Sequence, residues 1–462
     1  MLVLGDSLSK EYRSEFVALY PDHPKAWAAR NWGEILGEVR GEWFSQGEWG
    51  TYPDWRLTGY EFNWAMPGGT VRGFRNFLRQ NADAQLEILA SSGGAALWSQ
   101  YPAWRTAMTE QLGKVDKVVI FLGGNDWALG NSDPSTNPLY QGAPKQIDYA
   151  SIYDGGWGEA SNGEALRVSI RANLKSVIDW FRVPRTGYAA RFDGPMVLCA
   201  VPHVGCTPKV QAEVGKDPGR TAVITQLVEG LNVEMEAYAK LRDVGFANVY
   251  AVTKQIMEPG PYCIGGVEFL KEADADCGVR YLFSGDGFHP NTAAQAKLAQ
   301  VIGDAFRSKY PALAAEMPRL GDREILTGVL GLPGDLGYVE WMEAAGIAVG
   351  ERGPLSDPDG DGMANMLEYA LGGRWPEVAE SAGAFEVERG PHPLGQGEVL
   401  RVTWRARFGE NAYCDLVPEV SRGLREWQPV RAVTALPDGR SEVLLEILEG
   451  ESQYFRLAAR RP

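Results

Sequence analysis

The sequence predicts an α/β fold, a parallel β-sheet covered by helices on both faces, followed by a small all-β domain. Three observations predict it. Short β-branched runs alternate with longer amphipathic stretches as far as Tyr310, which is the pattern of βαβ units. From Ala384 onward, strand-like runs follow one another with turns and no helical pattern between them. The chain has 462 residues, too many for one ordinary core.

Taken in order, strands are expected at 2–4, 60–65, 117–122, 196–201 and 247–252, and helices at 26–39, 70–80, 165–181, 220–242 and 292–310. A parallel sheet binds ligands at the carboxyl ends of its strands. The loops after Leu4, Ala65 and Leu122 therefore share one rim. Past Pro311 the texture changes, and a Gly- and Pro-rich stretch at 328–337 marks a boundary. The expected domains are 1–312, a linker at 313–383 and a small β-sandwich at 384–462. Strands of the last are expected at 398–405, 413–420, 427–433, 442–447 and 454–458.

Bulk properties narrow the partners. Hydrophobic residues make up 45 % and charged residues 23 %, a globular balance. A net charge of −15 repels phosphate backbones and anionic membranes, so nucleic acid is not an expected partner. No apolar run is long enough to span a bilayer. The chain opens on Leu2-Val3-Leu4 without a charged or extended apolar leader, so no secretion signal is expected in this form. The five cysteines fit no zinc spacing, and Cys263 and Cys277, which flank one acidic loop, could pair.

Four blocks carry chemistry. Gly5-Asp6-Ser7 follows the first strand directly, placing a serine on the ligand rim. Met66-Pro67-Gly68-Gly69 ends the second strand in a glycine turn, where Gly68 can bring its backbone N–H close to an oxyanion. Gly123-Gly124-Asn125-Asp126 ends the third, and the Asn125 amide is a neutral donor suited to a developing negative oxygen. Asp286-Gly287-Phe288-His289 stands just before the last helix. That spacing lets the carboxylate hold one ring nitrogen while the other faces a nucleophile. Singly, each block reads equally well as a helix cap, a strand-end turn or a satisfied loop histidine. Together they point to a Ser7–His289–Asp286 triad.

As a set, the blocks resemble those of the SGNH (GDSL-type) hydrolases. The resemblance covers roughly residues 1–310 and implies a three-layer, flavodoxin-like α/β fold. It also implies Ser7 as nucleophile, His289 and Asp286 as its base and orienting acid, and Ser7, Gly68 and Asn125 as the oxyanion hole. No cofactor is implied for the chemistry. The segment 11–30 and an insertion at 127–163 are longer than the family pattern and would reshape the rim.

A second motif lies in the linker. Asp357, Asp359, Asp361, Gly362 and Glu368 fill D-x-D-x-D-G-x5-E, with Met363 offering a carbonyl and Asn365 a water-mediated contact. It resembles the single calcium loops of dockerin-like and thrombospondin-type-3-like modules, implying a structural Ca²⁺ and an extracellular or periplasmic setting. The expected substrate is a small ester, with acetyl groups on carbohydrate favoured by the 15 tryptophans, among them Trp64 and Trp127. A lipid-directed hydrolase of the same family and a non-catalytic binding protein are the alternatives.

Overall fold

The structure is a computed structural model. It describes residues 1–12, 29–89, 94–127, 162–184, 190–214, 218–274, 278–360, 363–371, 385–393, 398–406, 413–422, 424–436, 440–446 and 454–460. Two compact units divide the chain: Met1–Tyr262 with Leu270–Leu320, and Cys263–Phe269 with Gly321–Pro462.

In the first unit, β1 (Leu2–Gly5), β2 (Trp49–Thr51), β3 (Thr58–Tyr60), β4 (Val118–Phe121), β5 (Met196–Cys199) and β6 (Gly245–Ala247) follow in chain order. A four-stranded sheet has the order β1-β4-β5-β6, all parallel, with Leu2 opposite Val118, Val118 opposite Met196 and Val197 opposite Gly245. Every residue of β1, β4 and β5 is buried. This explains why these strands read as unbroken apolar runs, since a parallel sheet is covered on both faces.

Two expected strands are corrected. The run at 60–65 splits. Its start belongs to β3, which pairs antiparallel with β2. Residues 62–66 then run beside β1, with Val3 N–H donating to Phe62 (2.9 Å), Trp64 N–H to Val3 (2.8 Å) and Met66 N–H to Gly5 (3.0 Å). A parallel bridge joins Val3 and Asn63. Asn63 diverts its side chain to Ser9, Glu11 and the Ala65 N–H, which shortens the regular ladder. The run at 247–252 is mostly helix. Asn248 accepts from the Ala251 N–H and caps a helix at Val249–Met257, so a polar cap overrides the β-branched run that follows it.

Several helices start at chemical caps. Those that frame the sheet include α1 (Trp32–Val39), α2 (Val71–Arg79), α3 (Asn162–Arg182), α4 (Pro218–Leu241), α5 (Val249–Met257) and α6 (Thr292–Lys309). The α1 helix begins at a reciprocal capping box of Asn31 and Glu34, later than the expected start at 26; residues 26–28 lie outside the described residues. Thr70 caps α2 and Asn291 caps α6. The α1 and α6 helices pack together, as do α2 with α3 and α3 with α4.

The second unit holds short helices, including Leu336–Ala344 and Asn365–Leu371, and its part beyond Gly321 includes, among the described residues, the strands β7 (Phe385–Pro391), β8 (Glu398–Trp404), β9 (Asp415–Ser421), β10 (Gln428–Pro429), β11 (Thr434–Ala435), β12 (Ser441–Glu446) and β13 (Tyr454–Arg460). They form two antiparallel sheets ordered β7-β8-β12-β11 and β10-β9-β13. Val402, Trp404, Val443 and Leu445 of one share a core with Leu457 of the other. The strand expected at 427–433 shrinks to two residues because Pro429 has no N–H to extend a ladder. Among the described residues, no helix is long and apolar enough to cross a membrane.

Candidate active site

The first block is a turn held tightly against β1. Asp6 Oδ1 accepts from the Leu8 N–H (2.9 Å), and the Asp6 carbonyl accepts from Ser9 and Lys10. A Cβ at Gly5 would stand 2.4 Å from Ser9 Cβ, so only glycine permits this turn. Ser7 is 5 % exposed, and its hydroxyl makes no hydrogen bond among the described residues.

A buried polar network fixes the chain just beyond it. Asn31 Nδ2 donates to the Ser9 and Lys10 carbonyls (3.1 and 2.7 Å), and Asn63 Nδ2 to Ser9 (2.8 Å). Trp32 Nε1 donates to Ser9 Oγ (3.0 Å), and Gln295 Nε2, from α6, to the Leu8 carbonyl (3.3 Å). Asn63, Asn31 and Gln295 were not anticipated as site residues. Each polar residue is locally unremarkable, and only tertiary contact gathers them behind the serine.

The second and third blocks meet. Gly68 has φ +71°, a conformation that favours glycine, and the turn is closed by the Gly69 N–H on Met66 (2.8 Å). Asn125 Nδ2 donates to the Gly69 carbonyl (3.2 Å), and Asp126 Oδ2 accepts from the Val71 N–H (3.0 Å). Burial, with Asp6 nearby, pushes the Asp126 carboxyl up to about 7.

The fourth block is the most tightly bonded. Asp286 Oδ1 accepts from Ser284 Oγ (2.8 Å) and from the N–H groups of Phe288 (2.8 Å) and His289 (2.9 Å). Its Oδ2 accepts from His289 Nδ1. Burial opposes ionisation of Asp286, but the imidazole and the two backbone donors outweigh it and hold the carboxyl well below the ordinary range. The ring is thereby oriented with Nδ1 on the carboxylate and Nε2 directed elsewhere. The His289 and Asp286 side chains are only 16 % and 29 % exposed. The Gly287 carbonyl is also tied to the Lys209 N–H (2.9 Å).

The first and third blocks and the two neighbours of His289 meet at one cavity of about 50 Å³, lined by Ser7, Asn125, Phe288 and Pro290; Gly68, Asp286 and His289 themselves are not among its lining residues. Its remaining wall is apolar, with Leu8, Val204, Val252, Ile256, Phe283 and Leu298. Cys206 lines it too, its thiol pushed up to about 12 by burial and so kept neutral. His203 also reaches the cavity but is engaged on both nitrogens. Nδ1 accepts from the Gly205 N–H (3.1 Å) and Nε2 donates to Thr225 Oγ1 (2.8 Å). Burial lowers it to about 4, so it stays neutral and is a structural histidine.

Trp64 and Trp127 are fully buried and pack in the core, so neither offers a ring face to a sugar. Trp64 stacks on Phe77, lies under Arg56 and donates to Gln111 (2.7 Å). Most of segment 11–30 and of the insertion at 127–163 lies outside the described residues, as does Cys277.

In the linker loop, Asp361 and Gly362 lie outside the described residues. Asp357 Oδ1 accepts from the Gly360 N–H (2.9 Å), and Gly360 has φ +72°. Asn365 and Glu368 are buried at the first turns of Asn365–Leu371. Asn365 Nδ2 donates to the Glu351 and Gly353 carbonyls (2.8 and 3.0 Å), while its buried Oδ1 has no hydrogen-bond partner among the described residues. Those residues contain no cluster of three or more His, Cys, Asp or Glu side chains placed to hold a metal. No protein-family profile matches the chain, and no curated protein matches it in sequence.

Proposed function

We propose that the first unit is a serine ester hydrolase of the SGNH (GDSL-type) kind, acting on short-chain esters. The observation that carries this reading is the single cavity shared by Ser7, Asn125 and the residues flanking His289. The sheet supports it: counting the Asn63 segment beside β1, the strand order is 2-1-3-4-5, the flavodoxin-like order.

In this mechanism His289 takes the Ser7 proton through Nε2 as Oγ attacks the ester carbonyl. Asp286 holds Nδ1 and stabilises the imidazolium that forms. The tetrahedral oxyanion is met by the N–H groups of Ser7 and Gly68 and by the Asn125 amide, whose second N–H is not used by Gly69. Water then releases the acyl group with His289 again as base. The Ser7–His289 hydrogen bond forms as substrate fills the site, since catalytic contacts are commonly loose before binding.

The cavity speaks to the acyl chain. At about 50 Å³, with mostly apolar walls, it is far smaller than the roughly 300–1,000 Å³ of small-ligand clefts. That favours an acetyl-sized group over a lipid tail. The alcohol is proposed to be a carbohydrate, although Trp64 and Trp127 no longer argue for it.

The linker loop is proposed to hold a structural Ca²⁺ through Asp357, Asp359, Asp361, the Met363 carbonyl, Asn365 and Glu368. The buried Asn365 Oδ1 is the kind of unsatisfied oxygen a hard cation would engage. Such a loop suits an extracellular or periplasmic protein.

A fluorophosphonate probe should label the wild-type protein and not Ser7→Ala. Among p-nitrophenyl esters, acetate should be hydrolysed about tenfold or more faster than octanoate. Equal labelling of both proteins would sink the assignment of Ser7. Faster turnover of octanoate would transfer the reading to the lipid-directed alternative.

A further inference from the structure

The glycine turn beside β1 carries a donor that the fold leaves unused. Gly68 has φ +71°, and its N–H makes no hydrogen bond among the described residues. Its neighbours, by contrast, are tied down. The Met66 N–H donates to the Gly5 carbonyl at the end of β1 (3.0 Å), and the Gly69 N–H closes back on Met66 (2.8 Å). A Cβ at Gly69 would stand 2.9 Å from the Met66 carbonyl oxygen, so the turn has no room to relax inward. Two adjacent residues of the third block hold its far side. The Asn125 amide donates to the Gly69 carbonyl (3.2 Å), and the Asp126 carboxyl accepts from the Val71 N–H (3.0 Å).

Val71 opens α2, so its N–H is one of those that a helix cannot satisfy internally. Thr70 already caps α2 through the Gly73 N–H (3.1 Å). Asp126 adds a second cap from 55 residues away. Both partners are buried, so water is a poor substitute for either. We propose that Asp126 is a positioning residue for the oxyanion hole: by holding the Val71 N–H it fixes the Gly68 N–H where the oxyanion develops. This rests on the ester-hydrolase reading. The Asp126 carboxyl faces the Val71 N–H and its own backbone N–H, so it acts through the turn and not on the substrate. Burial and the neighbouring Asp6 favour its neutral form, which still accepts and sets no negative charge beside the oxyanion. A donor displaced by about 1 Å can cost about a hundredfold in rate.

Steady-state hydrolysis of p-nitrophenyl acetate by the full-length protein tests this. Asp126→Ala should lower kcat about 10- to 100-fold, with KM within about twofold of wild type. Asp126→Asn, which keeps an oxygen for the Val71 N–H, should recover most of that loss. Val71→Pro deletes the same hydrogen bond from the other side, and proline is well tolerated at the first position of a helix. Thr70, at φ −104° and ψ 159°, already has the backbone that precedes a proline. Val71→Pro should therefore lower kcat to a similar degree while the protein stays folded. Because both changes remove one interaction, Asp126→Ala made on Val71→Pro should cost almost nothing more. A trifluoromethyl ketone, which adds to a serine as a tetrahedral oxyanion, should bind each variant more weakly in proportion to its loss of kcat/KM. Wild-type kcat in Asp126→Ala, asparagine as damaging as alanine, or single effects that multiply in the double mutant would overturn the proposal with the ester-hydrolase reading intact. Turnover surviving in Ser7→Ala would instead bring down that reading, and the proposal with it.

Discussion

The Asn125 side-chain amide donates to the Gly69 carbonyl at 3.2 Å, so the turn after β4 is bonded to the glycine turn beside β1. One side chain thus both positions the Gly68 turn and supplies a donor to the proposed oxyanion. Asn125→Ala should lower kcat by roughly 10²–10³ with little change in KM. Steady-state kinetics on p-nitrophenyl acetate checks this. A rise in KM alone would make Asn125 a substrate-binding residue.

The four hydrogen bonds accepted by Asp286 change what its removal should do. Alanine would strand two backbone donors and the Ser284 hydroxyl, so Asp286→Asn is the cleaner probe of catalysis. Asp286→Asn should reduce kcat/KM strongly, by about 10³–10⁴, by favouring the wrong tautomer of His289. His289→Ala should be nearly as severe as Ser7→Ala. Because the two residues act as a unit, Asp286→Asn placed on His289→Ala should cost almost nothing more. A double mutant worse by the full single-mutant factor would show that Asp286 acts independently.

Asp126 should reveal itself in pH-dependent stability. Its folded pKa is raised to about 7 from an unfolded value near 3.8, so the folded state binds more protons between those values. Stability from this group is therefore present below the unfolded pKa and lost as pH rises through about 7. Asp126→Asn keeps an acceptor for the Val71 N–H and removes the charge. It should raise the thermal midpoint relative to wild type at pH 8 and leave it nearly unchanged at pH 3.5. An equal effect at both pH values would mean that Asp126 does not titrate in this range.

Calcium should raise the thermal midpoint and a chelator should lower it, because a ligand bound only by the folded state stabilises by mass action. At about a hundredfold excess over the dissociation constant the gain is roughly 2.7 kcal/mol. Glu368→Gln should weaken the response. An unchanged midpoint in excess chelator, with metal content confirmed as zero, would reduce the loop to an ordinary acidic turn.

The local signals were those readable in the sequence. The buried strands Leu2–Gly5, Val118–Phe121 and Met196–Cys199 are apolar along their whole length, because both faces of a parallel sheet are covered. Thr70 and Asn291 mark helix starts because their side chains accept from nearby backbone N–H groups, those of Gly73 and Thr292. The Asp286–His289 pair is legible for the same reason, being closed within one short loop. Where two local signals compete, as at Asn248 with the β-branched run after it, the sequence does not say that the cap wins. Asn63, Asn31 and Gln295 have no local signature, since their partners at Leu8, Ser9 and Lys10 lie 21 to 287 residues away. Tertiary structure alone decided that network, the burial of Trp64 and Trp127 and the cavity beside Ser7. Each depends on which surfaces meet once the chain is packed, and sequence spacing does not encode that distance.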